Sequence, residues 1–496
     1  MSEKKAIVIG SGVAGMAVAI RLATDGWSTE VFEKNSYPGG KLTFFEQDGY
    51  RFDAGPSLFT QPTHLEELFA YAGESIQDYF HYQKVDVSCR YFYENGKCIT
   101  AYGDRQKLAA ELNEKLQENP ANVLNYLDRS EKLYHDVGNI FLNHSLHKKD
   151  TWFRKHTLKA MGTVGASDLF GSLHESNKKH FRSEEAVQLF NRYATYNGSN
   201  PYQAPGMLRM IPHLEMNEGT FYPRGGMISI TNALYELARK KGVKFHFNSP
   251  VEEIAVSHKK VCGVVVSGQK VFADIVVSNG DVYHTYRHLL KNTSQSAQIA
   301  KTERSSSALI FYWGMKKEYA GLGLHNIFFS QSYKEEFDCI FKQKTLHNDP
   351  TVYINITSKM EKEHAAEGGE NWFVMINAPV QEGQNWPELI QAAKKNILDK
   401  LRRMLDAEVE NHIASESILD PGKIGNNTLT YKGALYGTSS NSKWSAFLRP
   451  ANFSTEYNGL YFCGGTVHPG GGIPLCLKSA QITSSIIRKD RAETDV

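Results

Sequence analysis

The stretch KAIVIGSGVAGMAVAIRLATDG, residues 5–26, constrains this chain more than any other. Residues 5–9 are an apolar run rich in β-branched side chains, which reads as a buried strand. Gly10-Ser11-Gly12 follows at once. The small and apolar residues after it suit a helix packed on a sheet and closed by Gly26. TEVFE, residues 29–33, reads as a second strand, so the chain opens on a βαβ unit. In the motif Gly10-x-Gly12-x-x-Gly15, Gly10 permits the tight turn, Gly12 lets backbone approach a pyrophosphate, and Gly15 lets the helix sit close to the strand. The helix N-terminus then offers free N–H groups and a partial positive charge to phosphates. Glu33 lies 23 positions beyond Gly10. A carboxylate there accepts hydrogen bonds from a ribose 2′-OH and repels a 2′-phosphate, which points to a dinucleotide other than NADP.

Just past that carboxylate stands Gly39-Gly40-Lys41, where the chain can return to the phosphates. A basic residue beside two glycines fits anion binding; the same residues also fit a solvated turn. No second GxGxxG occurs in the chain. One dinucleotide site without a second for a nicotinamide favours a flavoprotein. The formal net charge of +2 argues for no basic field, hence no nucleic acid as partner. Six scattered cysteines with no CxxC read as reduced thiols in a cytoplasmic protein. No secretory leader precedes the first strand, and no run of 18 apolar residues occurs.

Along the 496 residues, the segment from about 105 to 190 reads as helical and charged. Strand signals return at VKFHFNSPVEEIAV, KVCGVVV, ADIVVSN and SALIFYWGM (307–315), and WPELIQAAKKNILDKLRRML reads as a helix. The pattern predicts an α/β nucleotide domain assembled from distant segments, with a second domain inserted into it.

GSGVAGMAVAIRLA, the Glu33-Lys34 pair, PGGK, DAGPS, FYPRGGM, GALYG and GGTVHPGGGIP together resemble the phytoene-desaturase-type carotenoid desaturases, an FAD family with relatives among the amine oxidases. The resemblance runs from residue 6 to about 487 and is vague over 105–180. GGTVHPGGGIPLCL is more similar to the 1-hydroxycarotenoid 3,4-desaturase branch, because Leu475 and Cys476 follow Pro474 where phytoene desaturases commonly have Gly.

The resemblance implies a Rossmann-type, discontinuous FAD-binding domain over 1–80, 220–290 and 455–496. It implies an α+β substrate domain over 81–104 and 291–454, and a helical, membrane-associating part over 105–219. Gly10, Gly12, Val13, Ala14 and Gly15 would hold the pyrophosphate and Glu33 the adenosine ribose. Lys34, Gly40 and Lys41 would line the FAD cleft, with Gly55, Pro56 and Ser57 near the isoalloxazine. Val251 would contact adenine through its backbone, and Asn279 and Gly280 mark the chain's return to the FAD domain. Gly465, Thr466, Gly472, Ile473 and Pro474 match the C-terminal flavin segment. The resemblance departs at one point: the acidic residue that many flavoproteins place close to Thr466 to hold the ribityl chain is absent. Pro474 suits the first turn of a helix whose N-terminus would point at the flavin N1–C2=O edge.

The implied reaction removes hydride and proton from adjacent carbons of a (hydroxy)carotenoid, with 3,4-desaturation of a 1-hydroxycarotenoid as the leading form. A phytoene desaturase or carotenoid oxidase, another flavin oxidase of the amine-oxidase fold, and a non-enzymatic prenyl-protein-binding relative stand as alternatives. The electron acceptor would be dioxygen or a quinone. Such chemistry needs water excluded and one C–C bond aligned, with no strong nucleophile and no metal. The chain agrees, having no nucleophile elbow, no HExxH and no cysteine pair at zinc spacing.

His468 and Glu215 are the candidate bases, each of which also fits a scaffolding role; His213 and Arg224 are weighed beside them. Phe311, Tyr312, Trp313, Tyr193, Tyr196 and Tyr202 either line a tunnel for the polyene or sit in the core. HKKDTWFRKHTLKAMGTVGASDLFGSL, 147–173, mixes aromatic and basic residues in a way that suits a peripheral contact with a membrane surface or an ordinary surface helix.

Overall fold

The computed structural model describes residues 4–152, 171–405, 407–442 and 449–494. Two sheets organise it. The first is wholly parallel, in the order Leu460–Phe462, Ile275–Ser278, Lys5–Ile9, Ser28–Phe32, Lys244–His246. Its strands thus come from segments more than 400 residues apart in the chain. Four apolar residues of Lys5–Ile9 are buried, as a central parallel strand covered on both faces requires. The second strand ends at Phe32, one residue earlier than TEVFE suggests, which leaves Glu33 just beyond the sheet.

The helix Val13–Thr24 buries every residue from Val13 to Leu22. Its Ala14, Gly15, Ala17 and Ala19 are small enough to let it lie between the sheet and two flanking helices, Ile228–Lys240 and Ile473–Thr494. Burying each Leu, Ile or Val side chain there contributes roughly 1.5–3 kcal/mol before chain entropy is subtracted. The run VKFHFNSPVEEIAV is divided. Lys244–His246 joins the parallel sheet, and after a turn at Asn248 (φ 52°) Val251–Ser257 starts a separate three-stranded antiparallel sheet.

The second large sheet is mixed and seven-stranded: Ile413–Leu419, Ser307–Met315, Glu370–Ala378, Val352–Ile356, His325–Phe328, Val87–Phe92, Cys98–Tyr102. Alternation along Ser307–Met315 sends Leu309, Phe311 and Trp313 into a core with the helix Trp386–Leu405. Ile310 and Tyr312 point the other way, against Tyr50 and Phe52. So of the aromatics in SALIFYWGM, Phe311 and Trp313 are core, away from any tunnel on the opposite face.

The helical stretch does not stand apart. Arg105–Leu116, Pro120–Leu133, Leu173–His180 and Glu184–Asn191 share one hydrophobic core with Val87–Phe92, Cys98–Tyr102 and residues 327–341. Side-chain caps at Asp104, Asn119, Ser172 and Ser183 set where these helices begin. Among the described residues no helix is long and apolar enough to cross a membrane. Of the stretch 147–173, residues 153–170 lie outside the described residues.

Candidate cofactor and substrate site

Loops from six parts of the chain meet in a ring above the parallel sheet. Gly10 turns with φ +92° and donates its N–H to Phe32 O at 2.8 Å. A Cβ on Gly15 would lie 2.1 Å from Gly10 O, so the helix approaches the strand as closely as backbone allows. Gly12 caps that helix without any side-chain hydrogen bond, leaving first-turn N–H groups unclaimed among the described residues. Beneath the glycines lies Asn279. Its Oδ1 would be 2.7 Å from a Cβ on Gly12, and its Nδ2 donates to Cys463 O at 3.1 Å.

The PGGK loop closes on this motif. Gly39 N–H donates to Ser11 O at 2.9 Å, and a Cβ on Gly40 would stand 3.5 Å from Gly12 Cα. FYPRGGM starts the helix whose Thr231 supports that loop, its hydroxyl donating to Leu42 O at 2.8 Å. Lys41 Nζ donates to Leu435 O at 3.0 Å, across 394 positions, inside GALYG. A Cβ on Gly437 would be 3.0 Å from Thr466 Cα, and one on Gly471 would be 2.6 Å from the Tyr436 ring. Thr466 Oγ1 accepts from Val282 N at 3.2 Å, which returns the ring to Asn279-Gly280. Gly55 joins at Lys41, whose carbonyl oxygen a Cβ would meet at 1.9 Å. Pro56 is exposed and Ser57 half-buried.

Glu33 is buried, with Oε2 accepting from Ser11 N at 2.8 Å and Ser11 Oγ at 2.9 Å, and Oε1 from Asn35 N at 2.9 Å. Ser249 N donates to Glu33 O at 2.8 Å and brings the start of Val251–Ser257 beside it. Lys34 is half-buried, and its charge helps to lower the pKa of His284 after burial has done so. Val13, Ala14 and Ile473 are buried, and Pro474 sits in the first turn of Ile473–Thr494. Gly472, with φ +106°, has open space where a Cβ would be. These residues fit a dinucleotide: the hollow is one that side chains would fill, and a helix N-terminus opens on it.

Beside Lys41, charge in the ring comes from two groups the sequence reading did not single out, Asp281 and Arg449. Asp281 is buried; Oδ1 accepts from Tyr283 N at 2.8 Å and Oδ2 from Tyr431 N at 3.1 Å. Burial pushes the Lys41 ammonium down, and Asp281 opposes that. Arg449 is buried against the flavin segment, donating to Tyr436 O at 2.6 Å and to Gly465 O at 3.4 Å. Burial, and then the charge of Arg304, lower it to about 10, so it stays a cation at neutral pH. Asp281 carried a local signal, since an Asp after a strand-ending Ser-Asn-Gly is a ready N-cap. Arg449 carried none.

The candidate bases lie elsewhere. His468 is fully buried; Nε2 lies 2.9 Å from His144 O and Phe141 packs edge-on at 4.8 Å. Burial pushes its pKa down to about 4. Glu215 is buried beneath Arg192, whose Nη2 donates to Oε1 at 3.0 Å and Oε2 at 2.8 Å, and Tyr196 OH adds a third bond. Both carboxylate oxygens of Glu215 are thus taken up by buried partners, the arrangement of the scaffolding role weighed for it. His213 is buried against Asn217 and Glu218, and Arg224 is exposed. Cys463 and Cys476 are free thiols pushed up by burial, the latter to about 11, so neither offers a thiolate. An open depression of about 400 Å³ between Asn122, Arg129 and His180 holds none of the ring's residues.

Residues 13–312 match the family described as flavin containing amine oxidoreductase. A 1-hydroxycarotenoid 3,4-desaturase of Flavobacterium sp. is 50% identical over 489 residues, 99% of this chain and 100% of the relative. A 4,4'-diapolycopene oxygenase of Methylomonas sp is 31% identical, covering 98% of this chain and 99% of the relative. Among solved structures, cyclohexylamine oxidase from Brevibacterium oxydans shares the fold with a TM-score of 0.64 at 15% identity, over 99% of this chain and 100% of its own.

Proposed function

The chain belongs to the flavin containing amine oxidoreductase family, and from that premise we propose that it is an FAD-dependent carotenoid desaturase acting at the 3,4 bond of a 1-hydroxycarotenoid. The observation that carries the reading is the 50% identity to the 1-hydroxycarotenoid 3,4-desaturase, sustained over 99% of the chain. The glycine ring supports it from the side of the cofactor. FAD, when bound, supplies the acceptor for the two electrons that leave the polyene.

The remaining work belongs to the chain's own residues. Gly10, Gly12, Val13, Ala14 and Gly15 would receive the pyrophosphate, and Glu33 the ribose. Lys34, Gly40, Lys41 and Val251 would line the nucleotide half. Gly55, Pro56, Ser57, Asn279, Gly280, Gly465, Thr466, Gly472, Ile473 and Pro474 would surround the flavin half. Lys41 and Arg449 put positive charge into the ring, and neither has an ion-pair partner in contact among the described residues. For the polyene, half-buried apolar side chains are available on either side of the ring: Tyr353, Met375 and Leu435 against the second sheet, Met210, Leu214 and Leu475 toward the helices. Packing there would exclude water and align the reacting carbons. Neither His468 nor Glu215 is assigned the departing proton, because each is committed to a buried partner.

We take 1–80, 220–290 and 455–496 as the flavin-binding body. The enzyme would work at the cytoplasmic surface of a membrane, passing electrons on to dioxygen or a quinone. Trp152, 43% exposed at the edge of the stretch 147–173, supports a peripheral contact. The similarity to the Methylomonas oxygenase favours, as a second reading, an enzyme that oxygenates the chain end. Product mass separates the two after incubation with a panel of carotenes and 1-hydroxycarotenes. Desaturation removes two hydrogens; a product heavier by oxygen would replace the first reading with the second.

A further inference from the structure

The face of the seven-stranded sheet that carries Ile310 and Tyr312 changes character along its width. Register places Ile310, Met375, Tyr353 and Ile327 in one row. Tyr312, Phe373, Asn355 and His325 form the next. The first half is apolar and aromatic. At Tyr353, Asn355 and His325 it becomes polar, and these side chains form a hydrogen-bond chain that ends at Ser57.

The direction of that chain is determined by its fixed end. Asn355 Nδ2 donates to Leu324 O at 3.0 Å, which sets the orientation of the amide. The same NH₂ lies 3.2 Å from His325 Nδ1, so Nδ1 is the acceptor and the ring proton is on Nε2. Tyr353 OH, 2.8 Å from Nδ1, therefore donates to it. With its one proton used, Tyr353 accepts from Ser57 Oγ, 2.9 Å away. Two valences stay open. One is the acceptor face of Ser57 Oγ. The other is Nε2–H of His325, which makes no hydrogen bond among the described residues although the residue is only 3% exposed. Burial and the charge of Arg192 lower the His325 pKa to about 3, so the ring is neutral at working pH and the direction of the chain does not reverse.

Ser57 stands where this sheet meets the glycine ring, two residues beyond Gly55 and its contact with Lys41. A polar chain, buried at Asn355 and His325 and half-buried at Tyr353 and Ser57, that ends in an acceptor on an otherwise apolar face is matched to one donor on an apolar ligand. We propose that Ser57, positioned by Tyr353 and His325, accepts a hydrogen bond from the hydroxyl of the substrate and so selects a carotenoid hydroxylated at carbon 1, two carbons from the reacting bond. The inference rests on the desaturase reading above, in which carbon 1, which bears the hydroxyl, is two bonds from carbon 3. A group that recognises that hydroxyl must therefore stand beside the reacting carbons. An analogue lacking it leaves the site's acceptor unpaired, which is how polar sites discriminate.

The test uses the wild type, Ser57→Ala and Tyr353→Phe, each purified with FAD and matched by flavin absorbance. Each is assayed on two carotenes that differ only in the 1-hydroxyl. The ratio of kcat/KM, hydroxylated over non-hydroxylated, is expected to fall about tenfold in both variants, the equivalent of one neutral hydrogen bond. Tyr353→Phe keeps the ring and removes only the hydroxyl, so it reports even where Ser57→Ala folds poorly. An unchanged ratio with active wild type overturns the hydroxyl assignment and leaves the desaturase reading standing. A wild type that turns over neither carotene overturns both.

Discussion

Nε2 of His468 lies 2.9 Å from the main-chain oxygen of His144, 324 positions earlier in the chain. The bond pins the C-terminal flavin segment to the helical region, with His468 O accepting from Asn452 Nδ2 at 2.8 Å and Ser479 Oγ at 2.9 Å. A histidine that the motif places beside the flavin is thus built into the wall.

The first prediction concerns pH. Burial lowers the His468 pKa from 6.5 to about 4. Between those values the unfolded chain binds the proton and the folded one does not. Stability is therefore full above about pH 6.5 and is lost as the pH falls toward about 4, by on the order of 3 kcal/mol. His325, lowered to about 3, acts with the same sign. The melting temperature should drop across that window, and His468→Gln should flatten the drop while retaining flavin. A melting temperature independent of pH there would contradict the burial argument.

Gly15→Ala should abolish stable flavin binding. The new methyl would meet the backbone oxygen of Gly10 at 2.1 Å and Asn279 Oδ1 at 2.9 Å. Relief requires the helix to move off the strand, at a cost of roughly 1–3 kcal/mol or more. The ratio of flavin to protein absorbance after purification reads the effect; a full complement of FAD would show that the helix has room to shift.

Asn279→Asp should weaken FAD binding at least tenfold by titration of the apoprotein, an order of magnitude set by one lost hydrogen bond plus a charge. The carboxylate cannot donate to Cys463 O as Nδ2 does, and it sets a negative charge beneath the glycines that would face a pyrophosphate. Wild-type affinity in the variant would remove Asn279 from the cofactor site.

Breaking the pair Arg192–Glu215 should cost about 3–5 kcal/mol in urea unfolding, because either partner alone is a buried charge. The double variant Arg192→Met with Glu215→Leu should lose less than the two singles summed. Strict additivity would mean that the pair is not coupled.

What the sequence made legible follows the range of each interaction. Gly10, Gly12, Gly15 and Glu33 form a unit of two dozen residues whose strand, turn and helix determine one another, and each stands where the spacing implies. The glycines of PGGK and GGTVHPGGGIP were readable as places of close backbone approach, though not what they approach. Lys41 finds Leu435 394 positions away, and Ser57 finds Tyr353 296 positions away; no local pattern encodes such pairs. SALIFYWGM was readable as a strand, but which of its aromatics are core depends on the helix Trp386–Leu405 packing behind it. Glu215 looked available because its partner Arg192, 23 positions back, lies on another turn of the fold.

The most direct measurement is anaerobic mixing of the purified flavoprotein with a 1-hydroxycarotenoid, following the visible flavin band and then the mass of the carotenoid. The account predicts that the band bleaches and that the carotenoid recovered is lighter by two hydrogens, with one more conjugated double bond. A flavin band that stays oxidised while FAD and hydroxycarotenoid are both bound would contradict it.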